Sequence, residues 1–227
     1  MKIAELFYSI QGEGSLVGVP SFFIRTSGCN LRCSWCDTPY TSWHPEGDTL
    51  STAEVLQSIR RYGCSHVVVT GGEPMIVPEM GSFTDALRAE GMHITVETAG
   101  TVDAPVACDL MSISPKLSNS VPHDAEFGRW AARHDKLRIQ PGVLKALTTR
   151  YPYQLKFVVA AREDLGEIEE IVRMTEAPAS QVILMPEGTD PQILVERSRW
   201  IVEICKERGF RFSPRLHIDL WGQKRGV

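Results

Sequence analysis

The sequence lacks any apolar run long enough to cross a bilayer, which takes about 18 or more consecutive apolar residues. Its first residues also lack the apolar core of a secretory signal, because Glu5 interrupts them early. Basic residues are not in excess: 24 Lys and Arg stand against 28 Asp and Glu, and no basic block occurs. These absences predict a cytoplasmic protein that binds neither a membrane nor nucleic acid, since nucleic-acid binding depends on neutralising phosphates.

Cysteine is scarce and unevenly placed. Six cysteines occur in 227 residues, and three of them crowd into one short loop. Disulfides are not expected in a reducing cytosol, where crowded cysteines are more typical of metal or redox sites. The other three, Cys64, Cys108 and Cys205, have apolar neighbours and are predicted to be core residues.

Apolar, β-branched runs alternate with helical patterns along the chain. Strands are predicted over residues 21–26, 66–70, 93–98, 110–114, 154–160 and 181–185. Helices are predicted after a capping box formed by Ser51 and Glu54, over 165–174 and over 191–208. This alternation indicates an α/β fold with a parallel sheet and right-handed crossovers.

The number of predicted strands limits the architecture. Six or seven strands are too few for a closed eight-stranded barrel. We therefore predict an incomplete, open parallel β/α barrel, formed by one domain over residues 1–227. Residues 117–151 carry few strand signals and mixed charges, and they are predicted to be a helical insertion.

The crowded cysteines, Cys29, Cys33 and Cys36, follow the first strong strand with the spacing C-x3-C-x2-C. A tight loop can bring three thiolates to one side, where they hold one inorganic cluster. Three ligands leave one iron of a cubane cluster open to bind a substrate or cofactor, as the open position does in catalytic metal sites. The alternative is a zinc-stabilised binding module without catalysis, with His44 or Cys64 as the fourth ligand.

Trp35 stands directly before the last of these cysteines, and the resulting C-x3-C-x-aromatic-C pattern resembles the signature of the radical SAM superfamily. The resemblance implies a [4Fe-4S] cluster whose open iron binds S-adenosylmethionine (SAM). It also implies that the reaction starts from a radical released from SAM, so that no protein side chain serves as the catalytic acid or base.

Polar motifs end the later predicted strands, where parallel sheets build their sites. Residues 70–74 read Thr-Gly-Gly-Glu-Pro, 97–100 read Glu-Thr-Ala-Gly and 114–116 read Ser-Pro-Lys. Taken alone, the first is more often just a turn, and each of the other two can be explained as a capped loop. The first resembles the GGEP motif of the superfamily, which contacts the amino group of SAM. The resemblance implies that SAM is bound by Trp35, Asp37, Gly72, Glu73, Ser114, Pro115 and Lys116.

A further motif, Gln11-Gly12-Glu13-Gly14, places polar side chains on a backbone that can approach a ligand closely, although alone it reads as a surface turn. Together with the cysteine loop, the later motifs and residues 215–219 (Arg-Leu-His-Ile-Asp), it resembles the 7-carboxy-7-deazaguanine synthase family of deazapurine (queuosine-type) biosynthesis. The resemblance covers nearly the whole chain and is weakest over residues 117–151.

This family resemblance implies a lyase that converts 6-carboxy-5,6,7,8-tetrahydropterin to 7-carboxy-7-deazaguanine with release of ammonia. It implies that Thr38 ligates Mg²⁺, that an electron donor such as flavodoxin reduces the cluster, and that the protein is a homodimer. The pterin substrate would be bound by Ile10, Gln11, Gly12, Glu13, Arg25, Thr70, His217 and Val227.

Arg25 also has support from the residues alone, because a charge inside the predicted strand SFFIRT is costly to bury without a partner. A glycyl-radical-enzyme activase is an alternative within enzymes, since that class shares the cysteine spacing. The Gln-Gly-Glu-Gly motif and the Asp37-Thr38 pair argue against it.

Overall fold

The strands form one sheet in the computed structural model, which describes residues 1–123 and 128–227. In chain order they are β1 Lys2–Ile10, β2 Pro20–Thr26, β3 Asp48–Thr49, β4 His66–Gly71, β5 His93–Thr98, β6 Leu110–Ile113, β7 Tyr153–Val159, β8 Val182–Pro186 and β9 Arg211–Phe212. Their order across the sheet is β3-β1-β2-β4-β5-β6-β7-β8-β9.

Neighbouring strands from β2 to β9 are all parallel, whereas β1 is antiparallel to both β2 and β3. Within the described ranges the two edge strands, β3 and β9, do not pair with each other. The prediction of an α/β fold with an open, mainly parallel sheet is therefore confirmed. All six predicted strands are present within one or two residues of their expected bounds.

Strand β1 is the main element that the sequence prediction lacks. Of its nine residues only Ile3 and Phe7 are buried, so it has no continuous apolar run. Central strands show such runs because both of their faces are covered. Strand β1 lies near the edge of the sheet, and one of its neighbours is only two residues long. Its polar carboxyl-terminal end leads directly into the Gln-Gly-Glu-Gly motif.

The helices are α1 Pro39–Ser42, α2 Thr52–Arg60, α3 Met80–Ala89, α4 Ala131–Arg138, α5 Pro141–Arg150, α6 Asp164–Thr175, α7 Pro191–Arg208 and α8 Leu216–Trp221. The three predicted helices correspond to α2, α6 and α7, and α7 has the predicted bounds. Among the described residues, no helix combines the length and the apolarity that a membrane crossing requires.

The predicted capping box begins α2. The backbone N–H of Ser51 donates to Glu54 Oε2 at 2.8 Å, and the N–H of Glu54 donates to Ser51 Oγ at 3.3 Å. Each residue thus satisfies a backbone donor that the helix itself cannot pair.

The segment 117–151 contains α4 and α5, and its residues 124–127 lie outside the described part of the chain. Helix α5 is the crossover between β6 and β7, and it packs on the core through Leu144 and Leu147. Helix α4 has one buried residue, His134. The segment therefore joins an ordinary crossover helix to a more polar stretch.

The main hydrophobic core lies between the sheet and its covering helices. Ile24, Val67 and Ile94 are fully buried there against residues of the helices such as Phe83 and Ile201. Because side chains alternate along a strand, Arg25 points to the opposite side from Ile24. That opposite side carries the small apolar cluster of Phe7, Phe23 and Val68 and most of the polar residues described below.

The three scattered cysteines belong to this core. Cys108 and Cys205 are buried in it, as predicted, and Cys64 is half-buried and packs against its edge.

Replacing Ser51 with Ala tests the start of α2. We expect the free energy of unfolding to fall by about 1 kcal/mol, because the N–H of Glu54 loses its acceptor. The measurement is denaturant unfolding. The control is Ser82→Ala on α3, whose hydroxyl donates only to the carbonyl of Glu79 and caps no helix. An equal loss in both variants would contradict the capping role.

Candidate active site

A cavity of about 690 Å³ lies at the carboxyl ends of the parallel strands. The structure brings nearly all of the predicted site residues together on its walls. They are Ile10, Gln11, Gly12, Glu13, Arg25, Cys29, Cys33, Trp35, Cys36, Asp37, Thr38, Thr70, Gly72, Ser114, Lys116, His217 and Val227. Glu73 and Pro115 are predicted site residues that do not line the cavity; both are buried beside it.

The three loop cysteines face this cavity and pack around Leu31 and Ala99. Burial raises the pKa of Cys29 to about 12 and also raises the pKa of Cys33, so both are neutral thiols in the absence of a metal. Metal binding removes such protons, because the thiolate is the ligand.

The three thiols match the number of protein ligands that a cubane cluster with one open iron requires. Among the described residues, no three His, Cys, Asp or Glu side chains are placed to hold one metal ion. A cubane cluster makes a different demand, because each thiolate binds its own iron atom. The two candidates for a fourth zinc ligand are elsewhere, since His44 is exposed and Cys64 packs against the main core. The cysteine loop therefore fits a [4Fe-4S] cluster.

The Gly-Gly-Glu-Pro turn lies directly against the cysteine loop. A Cβ atom on Gly72 would stand 2.0 Å from the carbonyl oxygen of Gly28, so only glycine allows this approach. The N–H of Glu73 donates to the same carbonyl at 2.9 Å. Gly71 has φ +125°, in the region that favours glycine.

The Glu73 carboxylate holds this turn to the end of β5. It is fully buried and accepts hydrogen bonds from Thr98 Oγ1 at 2.7 Å, Ala99 N at 2.8 Å and Met75 N at 3.1 Å. Burial raises its pKa. The Glu73 side chain thus joins the Gly-Gly-Glu-Pro and Glu-Thr-Ala-Gly motifs, and the backbone at Gly72 is what this turn presents to the cavity.

The next strand end presents Ser114 and Lys116. Lys116 Nζ donates to the carbonyl oxygen of Ser114 at 2.7 Å and to its Oγ at 3.0 Å. Trp35 Nε1 donates to both oxygens of Asn119 at 3.1 Å. These bonds fix the residues that the family resemblance assigns to SAM.

Glu13 lies in the most strongly charged part of the cavity. Its carboxylate forms ion pairs with Lys156 and Arg215, and His217 Nε2 lies 3.9 Å from its Oε1. Burial alone would raise the pKa of Glu13, but the charges of Lys156, Arg215 and His217 hold it well below the usual range. The carboxylate is therefore ionised at all physiological pH values. Arg215 also binds Asp37, which connects this group to the cysteine loop.

Gln11 and Thr70 are oriented by Glu97. Gln11 Nε2 donates to Glu97 Oε1 at 3.1 Å, and Thr70 Oγ1 donates to Glu97 Oε2 at 2.7 Å. Gln11 Oε1 in turn accepts from the N–H of Glu13 at 3.1 Å. These bonds give the Gln-Gly-Glu-Gly motif a fixed shape before any ligand binds.

Arg25 has the partner that its position in β2 requires. Its Nε donates to Glu5 Oε2 at 2.8 Å, and its guanidinium carbon lies 5.4 Å from the centre of the Phe7 ring. Among the described residues its terminal nitrogens form no hydrogen bond. They remain suited to a carboxylate, which a guanidinium binds with two parallel bonds.

Thr38 lies beside the last cysteine of the loop. Its Oγ1 lies 3.9 Å from Cys36 Sγ, and its carbonyl oxygen accepts from Thr41 Oγ1 at 2.9 Å. The hydroxyl is a hard oxygen on the wall of the cavity, of the type that Mg²⁺ accepts as one protein ligand among waters and substrate oxygens.

The last residues of the chain cover one side of the cavity. Arg225 lies 3.6 Å from the centre of the Tyr40 ring and pairs with Glu5 and Glu46. Glu5 also accepts from Tyr40 Oη at 2.7 Å. Glu5 therefore connects the carboxyl-terminal residues to Arg25, and Val227 lies on the cavity wall.

Sequence reasoning missed Lys156 and Arg225 and assigned no role to Glu97 or Arg215. A signal for Lys156 was present, because it interrupts the apolar run QLKFVVA as Arg25 interrupts SFFIRT. No local pattern marks Arg225, since its partners are about 180 to 220 positions away in the chain.

Replacing Lys156 with Met removes one of the two ion-pair partners of Glu13. We expect the free energy of unfolding to fall by on the order of 3 kcal/mol, because the buried carboxylate keeps its charge and loses a counter-charge. Denaturant unfolding at pH 7 measures this. The control is Lys206→Met, which breaks an exposed Lys–Glu pair and should cost less than about 1 kcal/mol. Equal losses in the two variants would contradict a buried, charged Glu13–Lys156 pair.

Comparison with known proteins identifies the family of this chain. The family model of the radical SAM superfamily matches residues 23–126. The 7-carboxy-7-deazaguanine synthase of Rhodopirellula baltica is 45% identical, over 100% of this chain and 89% of the relative. The enzyme of that name from Halobacterium salinarum is also 45% identical, over 97% of this chain and 90% of the relative.

A solved structure shares the fold. The crystal structure of QueE from Escherichia coli superposes with a TM-score of 0.72 at 25% identity, covering 95% of this chain and 94% of that one. The predicted open barrel of the radical SAM type is thereby confirmed. Because the 45% identities extend over the whole sequence, the protein belongs to the 7-carboxy-7-deazaguanine synthase family, within the radical SAM superfamily.

Proposed function

We propose that this protein converts 6-carboxy-5,6,7,8-tetrahydropterin to 7-carboxy-7-deazaguanine with release of ammonia, in deazapurine biosynthesis of the queuosine type. The names of its relatives support this activity. The observation that carries it is the presence, in one cavity, of the three-cysteine loop together with an ionised carboxylate, Glu13, and the available guanidinium of Arg25.

Cys29, Cys33 and Cys36 would hold the [4Fe-4S] cluster. Ser114, Lys116, Trp35, Asp37 and the backbone at Gly72 would bind SAM beside it. When bound, these groups supply a radical that removes a hydrogen atom from the substrate carbon bearing the carboxylate. The protein itself holds that carbon in place and keeps water away from it.

The charges of the cavity determine how the pterin lies. Arg25 would bind the substrate carboxylate through its terminal nitrogens, which the bond to Glu5 leaves available. Glu13 would accept hydrogen bonds from the adjacent N–H groups of the aminopyrimidinone ring. Gln11, Gly12, Ile10, Thr70 and His217 would frame the ring between these two anchors.

The geometry also supports a metal ion at Thr38. We propose that its hydroxyl ligates Mg²⁺ together with substrate oxygens and water, which is a common coordination for this ion. Asp37 is less suited to the role, because its carboxylate already pairs with Arg215. The ion would neutralise charge that develops on the substrate as its ring contracts.

The remaining parts of the proposal have two sources. A homodimer and a flavodoxin-type electron donor rest on the family resemblance, whereas a location in the cytoplasm and a single domain with an insertion at residues 117–151 rest on the sequence. The crossover helix α5 supports placing that insertion before Pro141.

Turnover of purified protein tests the function. After anaerobic reconstitution with iron and sulfide, the protein is incubated with SAM, Mg²⁺, a reductant and 6-carboxy-tetrahydropterin, and the product is identified by mass. We expect 7-carboxy-7-deazaguanine, and none from Cys33→Ala, which removes a cluster ligand. SAM cleavage without deazaguanine would contradict the substrate assignment and keep the radical SAM chemistry. A colourless zinc protein would contradict both.

Arg225→Ala tests the role of the carboxyl-terminal residues. We expect KM for the pterin to rise about 10-fold, equivalent to about 1.4 kcal/mol, because the tail loses its contacts with Tyr40, Glu5 and Glu46. Since the tail lies outside the cluster loop, kcat should change little.

Steady-state kinetics with varied pterin measure the effect. Arg173→Ala is the matched control, because Arg173 is an exposed arginine on α6 that does not line the cavity. An unchanged KM in Arg225→Ala would show that the tail does not contribute to substrate binding.

A further inference from the structure

His134 is a buried residue that no family motif includes. It lies on α4, in the segment where the family resemblance is weakest, and its exposed fraction is 1%. Every other residue of α4 is half-buried or exposed, so the helix contributes little to the hydrophobic core. The His134 ring instead packs against the cysteine loop.

Two hydrogen bonds define the orientation of the ring. Its Nδ1 lies 3.0 Å from the backbone nitrogen of Arg32, and its Nε2 lies 2.9 Å from Ser120 Oγ. A backbone N–H can only donate, so Nδ1 is the acceptor and the proton of the neutral ring is on Nε2. Ser120 Oγ then accepts from Nε2 and donates to the carbonyl oxygen of Leu117 at 2.6 Å.

The charge state of the ring agrees with this pattern. Burial, assisted by the nearby positive charge of Arg138, holds the pKa of His134 at about 4. The ring is therefore neutral at physiological pH, as the bond from Arg32 requires.

These bonds surround a single cysteine. Arg32 and Ser34 stand on either side of Cys33, and the N–H of Ser34 donates to the carbonyl oxygen of Ser120 at 2.9 Å. The carbonyl oxygen of Cys33 itself accepts from Trp43 Nε1 at 3.0 Å. Hydrogen bonds to His134 and Ser120 thus hold the backbone N–H groups of the residues before and after Cys33. A third hydrogen bond, from Trp43, holds the carbonyl oxygen of Cys33 itself.

We propose that His134 is a positioning residue for the cluster, which fixes the backbone of the central ligand Cys33 through the N–H of Arg32. The inference rests on the proposed function in that the loop must carry a cluster. Groups that orient metal ligands in this way commonly change metal retention 10- to 100-fold when they are replaced. The role also explains why α4, a polar helix outside the core, contains a buried histidine.

Three substitutions separate positioning from simple packing. His134→Phe keeps a planar ring but removes the acceptor, which leaves the Arg32 N–H unpaired. His134→Asn is the conservative variant, because its Oδ1 takes the place of Nδ1. Thr84→Val is the control: it removes a buried hydroxyl that accepts from Ala107 N at 2.9 Å, on helix α3 and outside the cavity.

The readout is the rate at which the reconstituted holoenzyme loses iron to a chelator, followed by the absorbance of the cluster near 400 nm. We expect His134→Phe to lose iron at least about 10-fold faster than the unmodified protein, and His134→Asn to stay within about threefold. Thr84→Val should lower the thermal midpoint of unfolding without changing the rate of iron loss.

If His134→Phe does not fold, Ser120→Ala tests the same chain of hydrogen bonds at the other ring nitrogen of His134. It leaves the ring without a partner for Nε2 and should give an intermediate rate of iron loss.

The possible results are distinguishable. Iron loss at the unmodified rate in His134→Phe, or in Ser120→Ala where the first variant does not fold, would overturn the positioning role alone. Equal acceleration in Thr84→Val would do the same, because general destabilisation would then explain the effect. Unmodified protein that takes up no cluster would overturn this proposal together with the proposed function.

Discussion

The site depends on the backbone contact between the Gly-Gly-Glu-Pro turn and the cysteine loop. The carbonyl oxygen of Gly28 accepts from the N–H of Glu73, and Gly72 approaches it too closely for any side chain. Glu73 then fixes this turn to the end of β5 by three buried hydrogen bonds. The cysteine loop, which has little regular structure, is thereby fixed to the end of β5.

The cavity is also organised by charge. Glu13 is surrounded by Lys156, Arg215 and His217, so its negative charge is stabilised at a depth where an isolated carboxylate would take up a proton. The same arrangement pairs Lys156 and Arg215 with Glu13. Arg25 also lines the cavity, and its ion pair with Glu5 uses only Nε, so its terminal nitrogens are available to a carboxylate.

The sequence is sufficient to predict the six central strands and the helices α2, α6 and α7, because these are marked by apolar runs or by capping residues. It also places the three cysteines and the motifs at the strand ends. It does not predict α3, whose N-cap residue, Glu79, forms no side-chain capping bond. It fails at β1, where only Ile3 and Phe7 are buried, and at Lys156 and Arg225, whose partners are remote in the chain. Glu73 shows a different limit: its motif is recognisable, but only coordinates reveal that its carboxylate is directed into the protein and not into the cavity.

The two ends of the cavity are assembled from parts of the chain that differ greatly in sequence separation. The cysteines lie within one loop, whereas Glu13 meets Arg215 across 202 positions, and the N–H of Leu216 donates to the carbonyl oxygen of Gly12. Contacts of such long range are the slowest to form, since the entropy of closing the loop must be lost first. During synthesis from the amino terminus, the cysteine loop is complete about 180 residues before Arg215, which completes the charged part of the cavity. The two parts of the cavity are therefore formed at different stages of synthesis.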